Sequence, residues 1–420
     1  MKFCRRCLYP INHPLNLVLN DQGLCSGCLI HEEKDSLDWK EREEKLLRIV
    51  SPYRTTSRLA PDCIIPVSGA RDSYFIVDYV KNVLKLRPLL VSYNNQYNTK
   101  IGIRNLANLR TTLGCDFIQT TTSPERVKRI TRVSLEKMGS MYWHCLAGAS
   151  VFPVQVAVKF KIPLIIWGVH QGCDQVGMFS HLDEVEMTRK YRKEHDLMGY
   201  EAEDLVQGTD LISIDDMEQF VYPHDKELES VGVRGIYLSN YVRWDSKAQH
   251  EKMIGKYQYE TAIQQRTFDS YNDVDSFHYS GIHDYIKFLK YGYGKVSDHA
   301  SREIRLKRMT REQGIDLVER YQNVIPNDLP LFLKWMNLRE DDFWRLIDRH
   351  KNKRIWKQSK HGKWELKDSI LNHRNDEGVD ELRLEVAEDT EFLLTLSMDP
   401  SAVEKDYELI GRGWPNRPQT

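Results

Sequence analysis

Between Asp62 and about residue 170 the apolar positions alternate between two spacings. Ile64, Ile65 and Val67 make a short β-branched run of the kind that forms a buried strand. From Asp72 the apolar residues Phe75, Ile76, Tyr79, Val80 and Val83 return at three- and four-residue steps, which predicts a helix. The alternation then repeats. A strand is predicted over 88–95 and a helix from about 103 to 113, stopped by Gly114. A strand follows over 115–119, a helix over 124–138, an apolar helix over 146–160 and a strand over 162–168. Repeated strand–helix units predict an α/β fold with a doubly wound, mostly parallel sheet. In such sheets ligands bind beyond the carboxyl ends of the strands. Segments 68–73, 92–95 and 168–171 are therefore expected to meet around one crevice.

The flanks have other patterns. Residues 31–50 read as one charged amphipathic helix with Trp39, Leu46, Leu47 and Val50 on its apolar side and Asp38 with Glu41 as a capping pair. Past residue 170 the regularity fades. Residues 174–233 read as a long insertion over the crevice. Segments 237–245 and 276–294 interleave aromatics with His, Gly and Lys, and 300–356 is helical, charged and Trp-bearing, grading into a mainly helical C-terminal region.

Composition narrows the function classes. The 420 residues carry 60 Lys plus Arg against 61 Asp plus Glu, a net charge of −1. No basic excess points to a nucleic-acid surface. No apolar run approaches 18 residues and no secretory h-region is present, so a cytoplasmic protein without membrane insertion is expected.

Two stretches carry chemistry. Cys4-x-x-Cys7 and Cys25-x-x-Cys28 have the spacing of a zinc ribbon, with Gly23 and Gly27 supplying turns. Two disulfides or an iron–sulfur cluster are rival readings. Disulfides fit poorly with an intracellular chain. Four thiolates fill all four corners of a Zn²⁺ site, so its role would be structural. The second stretch is Ser68-Gly69-Ala70-Arg71-Asp72-Ser73, a tight turn between strand and helix. Unpaired amides and a helix start suit a phosphate chain there. Asp72 could hold a Mg²⁺ ion that bridges phosphates.

That turn resembles the S-G-G-x-D-S signature of the PP-loop ATP pyrophosphatase superfamily, with Ala70 in place of the second glycine. If that position needed a positive φ, the alanine would strain the turn and limit ATP use. The resemblance implies ATP binding by Ser68, Gly69, Ala70, Arg71, Asp72 and Ser73, with Arg71, Asp72 and Ser73 catalytic. By position it also implicates Ser92, Tyr93 and Asn94 at the second strand's end, and Gly168. In the later aromatic runs, His278, Tyr279, His283, Lys295, Asp298 and His299 are candidate substrate-binding residues, together with His170.

The four-cysteine ribbon, the PP-loop, Ile162-Pro-Leu-Ile-Ile-Trp-Gly168 and the run from Gly292 to Arg305 together look like the N-acetyl sugar amidotransferases. Those enzymes serve bacterial surface-polysaccharide and nonulosonic-acid synthesis. Ala70 and Val169 depart from the family's pattern. The resemblance implies that ATP adenylylates the acetamido oxygen of a nucleotide- or carrier-linked N-acetyl sugar, and that ammonia displaces AMP to leave an acetamidino group. The chain shows no Gly-x-Cys-x-Gly elbow, so ammonia would come from a separate glutaminase subunit. The implied organisation is a zinc ribbon (1–35), a helical connector (36–61) and an ATP-binding domain (62–172). A substrate-binding or lid region (173–325) and a helical extension (326–420) follow. The alternatives are a PP-loop tRNA thiolase, with Cys145 and Cys173 as sulfur carriers, and a degenerate PP-loop that binds without turnover.

Overall fold

In the computed structural model the described residues are 1–15, 17–57, 60–70, 72–360 and 363–379. The strands β1 (Cys63–Pro66), β2 (Pro88–Tyr93), β3 (Asp116–Thr120), β4 (Leu164–Trp167) and β5 (Arg234–Tyr237) form one sheet in the order β3-β2-β1-β4-β5. All its pairings are parallel, with Ile65 opposite Leu90 and Ile166 opposite Ile236. The chain runs outward from β1 to β3, then returns to β4 on β1's other side. The switch point lies between β1 and β4, and in doubly wound sheets a crevice opens there at the carboxyl ends.

Both faces are covered, as parallel sheets require. On one face Ile65, Leu90 and Ile166 pack with Tyr74, Val77 and Leu109. On the other, Ile64, Val91 and Ile165 pack with Val151, Val154 and Ala157 of the helix Trp143–Phe160. Each such buried aliphatic side chain contributes about 2 kcal/mol. A separate core joins Met1, Phe3 and Leu8 to the helices Asp284–Tyr291, Lys295–Arg305, Arg311–Tyr321, Leu329–Met336 and Glu340–His350.

Two expectations need correction. The stretch 31–50 is two helices, Ser26–Ser36 and Trp39–Val50, because Leu37 turns extended after the first and the Asp38 side chain caps the second by accepting the Lys40 and Glu41 amides. The sheet also continues beyond residue 172. Its edge strand β5 lies after the insertion, with Met187 packed over Gly235, where a Cβ would come within 2.6 Å of the Met187 Cβ. Among the described residues no helix is long and apolar enough to cross a membrane.

Candidate functional site

The turn after β1 is folded by its own side chains. The Val67 amide still donates to the Val91 carbonyl (2.9 Å), extending the ladder. The Ser73 hydroxyl then accepts the Ser68 amide (3.2 Å), and the Ser68 hydroxyl accepts the Ala70 amide (3.3 Å). Gly69 is left-handed (φ +84°), and an added Cβ would meet the Gly102 carbonyl and the Leu106 amide at 2.9 Å. Glycine is thus required by both conformation and space. Ala70 is not among the described non-glycine residues with positive φ, and it is fully buried in the sheet core. The expected strain at Ala70 is absent because the left-handed residue is its neighbour. Asp72 sits at the start of the helix and accepts a hydrogen bond from the Ser246 hydroxyl (3.3 Å). Arg71 lies outside the described residues.

Two cavities open beside this turn. The loop cavity, about 320 Å³, is lined by Ser68, Asp72 and Ser73, by Tyr93 at the end of β2 and Asn95 beyond it, and by Trp167 at the end of β4 and Gly168 after it. The helix Trp143–Phe160 closes one wall through Cys145, Ala149 and Ser150. The polar cavity, about 340 Å³, lies on the other side of Asp72 and is lined by Tyr279, Lys287, Lys295, Asp298 and His299. The two share Asp72, Asp196, Asp273 and Tyr279, so they form one crevice with two chambers.

Asp273 is brought there by a strap. The Thr99 amide donates to the Asp275 carbonyl (2.9 Å), and Gly102 lies so close under this strap that a Cβ would approach the Asp275 Cα to 2.4 Å. Asp273 is left-handed (φ +53°), which Asp tolerates better than most residues. Its carboxylate accepts from Lys295 Nζ (2.6 Å), which itself lies 3.4 Å above the Tyr279 ring. Burial raises the Asp298 pKa, but the Lys287 ammonium beside it outweighs that and holds it below the usual carboxylate range. Burial pushes His299 down to about 4 even though Asp269 opposes the shift. His299 is therefore neutral at pH 7, with Nδ1 2.7 Å from the Thr267 hydroxyl.

The four cysteines converge. Cys4 and Cys28 sulfurs lie 3.9 Å apart and Cys7 and Cys25 sulfurs 3.6 Å apart, all fully buried. A tetrahedral zinc with Zn–S bonds near 2.3 Å demands S···S separations of about 3.8 Å, so the set fits the ion. Arg305 lays its guanidinium against this cluster, with Nη2 3.5 Å from Cys25 Sγ, and its Nη1 donates to the Gln175 carbonyl (2.6 Å). Because Arg305 also lines the polar cavity, the ribbon is a wall of the crevice. The cysteines are the one group of three or more His, Cys, Asp or Glu among the described residues close enough to hold a metal. Magnesium needs less protein, since one or two carboxylates and the phosphates themselves suffice.

Residues 265–370 match the family described as "LPS biosynthesis protein WbpG-like, C-terminal domain". That segment supplies most of the polar cavity's charged residues, from Asp273 to Arg305. No curated protein matches the chain. Among solved structures, an NMN synthetase from Francisella tularensis resembles it at 15% identity, covering 54% of this chain and 98% of its own, with a TM-score of 0.25.

The crevice brings together Ser68, Asp72, Ser73, Tyr93 and Gly168 on one side and Tyr279, His283, Lys295, Asp298 and His299 on the other. Four expected residues point elsewhere. Ser92 faces away from the cavity because side chains alternate along β2, and Asn94 is spent on Thr121, Gln96 and Asn98. His170 is fully buried among Tyr191, Tyr237 and Phe179, and burial pushes it down to about 3. His278 donates from Nδ1 to the Asp328 carboxylate (2.6 Å) and packs on Tyr97 and Phe332. Sequence reasoning placed Asn95 at the crevice within segment 92–95 and missed Asp196, Asp273 and Asp275. Only the polar Asp-Val-Asp-Ser run at 273–276 gave a signal for the last two.

Proposed function

We propose that this chain is an ATP-dependent amidotransferase that converts the acetamido group of an N-acetyl sugar to an acetamidino group. The observation that carries the reading is the two-chambered crevice, whose chambers meet at the turn that resembles a PP-loop. The match of residues 265–370 to a family of lipopolysaccharide biosynthesis supports a glycan as the second substrate. In this reading ATP occupies the loop cavity, with its phosphates against Ser68–Ser73, and the sugar occupies the polar cavity.

An amide oxygen is a poor leaving group until it is esterified. The acetamido oxygen attacks the α-phosphorus and pyrophosphate leaves, giving an O-adenylyl imidate. Ammonia then adds to the imidate carbon and AMP departs with the C–O bonding pair. The protein's part is positioning and charge placement. Gly69 fixes the turn, and Asp72 at the seam would hold magnesium on the phosphates. Lys295 and Tyr279 would hold the sugar, and the zinc ribbon would hold the wall behind Arg305. Ammonia would be delivered by a separate glutaminase. The test is pyrophosphate release with ATP and ammonium across UDP- and CMP-linked N-acetyl sugars, with mass spectrometry of the sugar. A product 1 Da lighter, from replacement of oxygen by NH, is expected on one acceptor; pyrophosphate release without that product rejects the reading.

A further inference from the structure

The amidating step leaves a proton that neither the turn nor the sugar-holding residues Lys295 and Tyr279 take up. When ammonia adds to the imidate carbon, its nitrogen carries a positive charge and one proton too many. Most titratable groups lining the polar cavity already have partners: Asp174 with Lys34, Asp273 with Lys295, Asp284 with Arg266 and Asp298 with Lys287. His299 is held at Nδ1 by Thr267.

His195 is different. It comes from the insertion, lines the polar cavity, and has a side chain only 10% exposed. Its Nδ1 lies 2.8 Å from Asp196 Oδ1, and its ring stacks on Tyr191 at 4.6 Å and 17°. Its Nε2 is buried with no hydrogen-bond partner among the described residues. Asp196, which orients the ring, lines both chambers and so places the pair at the seam where the imidate would form. A carboxylate that fixes one ring nitrogen leaves the other as acceptor, the arrangement of a histidine base with its orienting group. A buried imidazole nitrogen without a partner is costly unless a ligand completes it.

We propose that His195 is the proton acceptor of the amidating step and Asp196 its positioning residue. This rests on the reading of the crevice given above. The ammonia lone pair forms the C–N bond, Nε2 takes one proton from that nitrogen, and the carbon expels AMP with its bonding pair. Because the adenylylated imidate keeps the acetamido N–H and is itself cationic, the product left is the amidinium, and the imidazolium returns its proton to solvent.

The two half-reactions separate the roles. Acceptor-dependent ATP–pyrophosphate exchange reports adenylylation, and amidine formation at saturating ammonium reports the second step. His195→Gln is expected to lower kcat for amidine formation about 100-fold, with the sugar KM unchanged and exchange reduced less than about threefold. Asp196→Asn, which keeps the ring but loses its orienting carboxylate, should give the same split at about tenfold. It is also the second variant, should the first not fold. Amidine formation within threefold of wild type in both variants overturns the proposal. So does a parallel fall of exchange and amidation, or a raised sugar KM at unchanged kcat, since each marks a structural or binding role. Wild-type protein that forms no amidine from any acceptor defeats the underlying reading itself.

Discussion

Adding one methyl group to each of two neighbouring positions in the turn gives opposite expectations. At Gly69 the backbone is left-handed, and a Cβ would sit 2.8 Å from Leu106 Cβ and 2.9 Å from the Gly102 carbonyl and Leu106 amide. The left-handed conformation costs an alanine about 1–2 kcal/mol. Two of the three contacts are helix backbone, which has no rotamer to yield, so the helix Lys100–Leu113 or the turn must move. A further 1–2 kcal/mol for that shift is in line with overpacking a core. Gly69→Ala should therefore lose roughly 3 kcal/mol, about 100-fold in kcat/KM for pyrophosphate release if the loss falls on the nucleotide-bound turn. At Ala70 the change runs the other way. Ala70→Gly removes a fully buried methyl and loosens the unfolded chain, costing about 1–2 kcal/mol of stability. It should bring no gain in rate, although it restores the S-G-G-x-D-S pattern. The assay is pyrophosphate release by both variants beside urea unfolding. A faster Ala70→Gly enzyme, or an unimpaired Gly69→Ala enzyme, would refute the reasoning from backbone conformation.

Elemental analysis should find one zinc per chain, and Cys25→Ser should lose it; iron, or no metal in freshly reduced protein, sinks the assignment. Cys173→Ser, whose thiol lies outside both chambers, should leave turnover with ammonium intact, and Cys145→Ser should cost less than about tenfold because burial holds that thiol well above its ordinary pKa and so protonated. An absolute need for either cysteine, or tight tRNA binding at physiological salt, would favour the thiolase. Acid should destabilise the fold early. Burial pushes His144 and His170 from 6.5 down to about 3, so the unfolded chain takes up their protons first. Their contribution is complete above pH 6.5 and declines as pH falls from there towards 3, by roughly 4 kcal/mol in all at pH 5. Urea midpoints at pH 7.5 and 5.0 check this, and His144→Asn should flatten the dependence.

The local sequence showed what local physics determines. The helix Pro124–Met138 was readable to its ends because Ser123 caps it, Pro124 opens it and Gly139 (φ +60°) stops it. The central strands were readable from β-branched runs that no helix face would carry. β5 was not, since Arg234-Gly235-Ile236-Tyr237 opens on a charge and holds a glycine that Met187 covers from 48 positions earlier. Two of the four candidate histidines, His170 and His278, lie elsewhere for the same reason. His278 and His283 lie five apart in one aromatic run, yet the first packs on Phe332 and the second lines the polar cavity. Which nitrogen meets a carboxylate and which meets a chamber depends on elements far away in the chain.

The same long-range closure explains why the ribbon and the C-terminal segment belong to the site. The amino group of Met1 pairs with Asp368, and the Leu8 amide donates to the Ser301 hydroxyl (3.2 Å). The Ser26 hydroxyl reaches the Val176 carbonyl (2.7 Å), and Gly177 lies so close to that helix that a Cβ would be 2.4 Å from the Ser26 carbonyl. Arg305 completes the ring by touching cysteine sulfur on one side and the carbonyls of Asp174 and Gln175 on the other. Four buried thiols without a metal would leave this guanidinium beside a loose cluster, whereas four thiolates on zinc present net negative charge for it to meet. A zinc held by these cysteines would therefore do more than stabilise the first 35 residues. It would set the position of Arg305, and through Arg305 the wall of the polar cavity formed by residues 174 and 175.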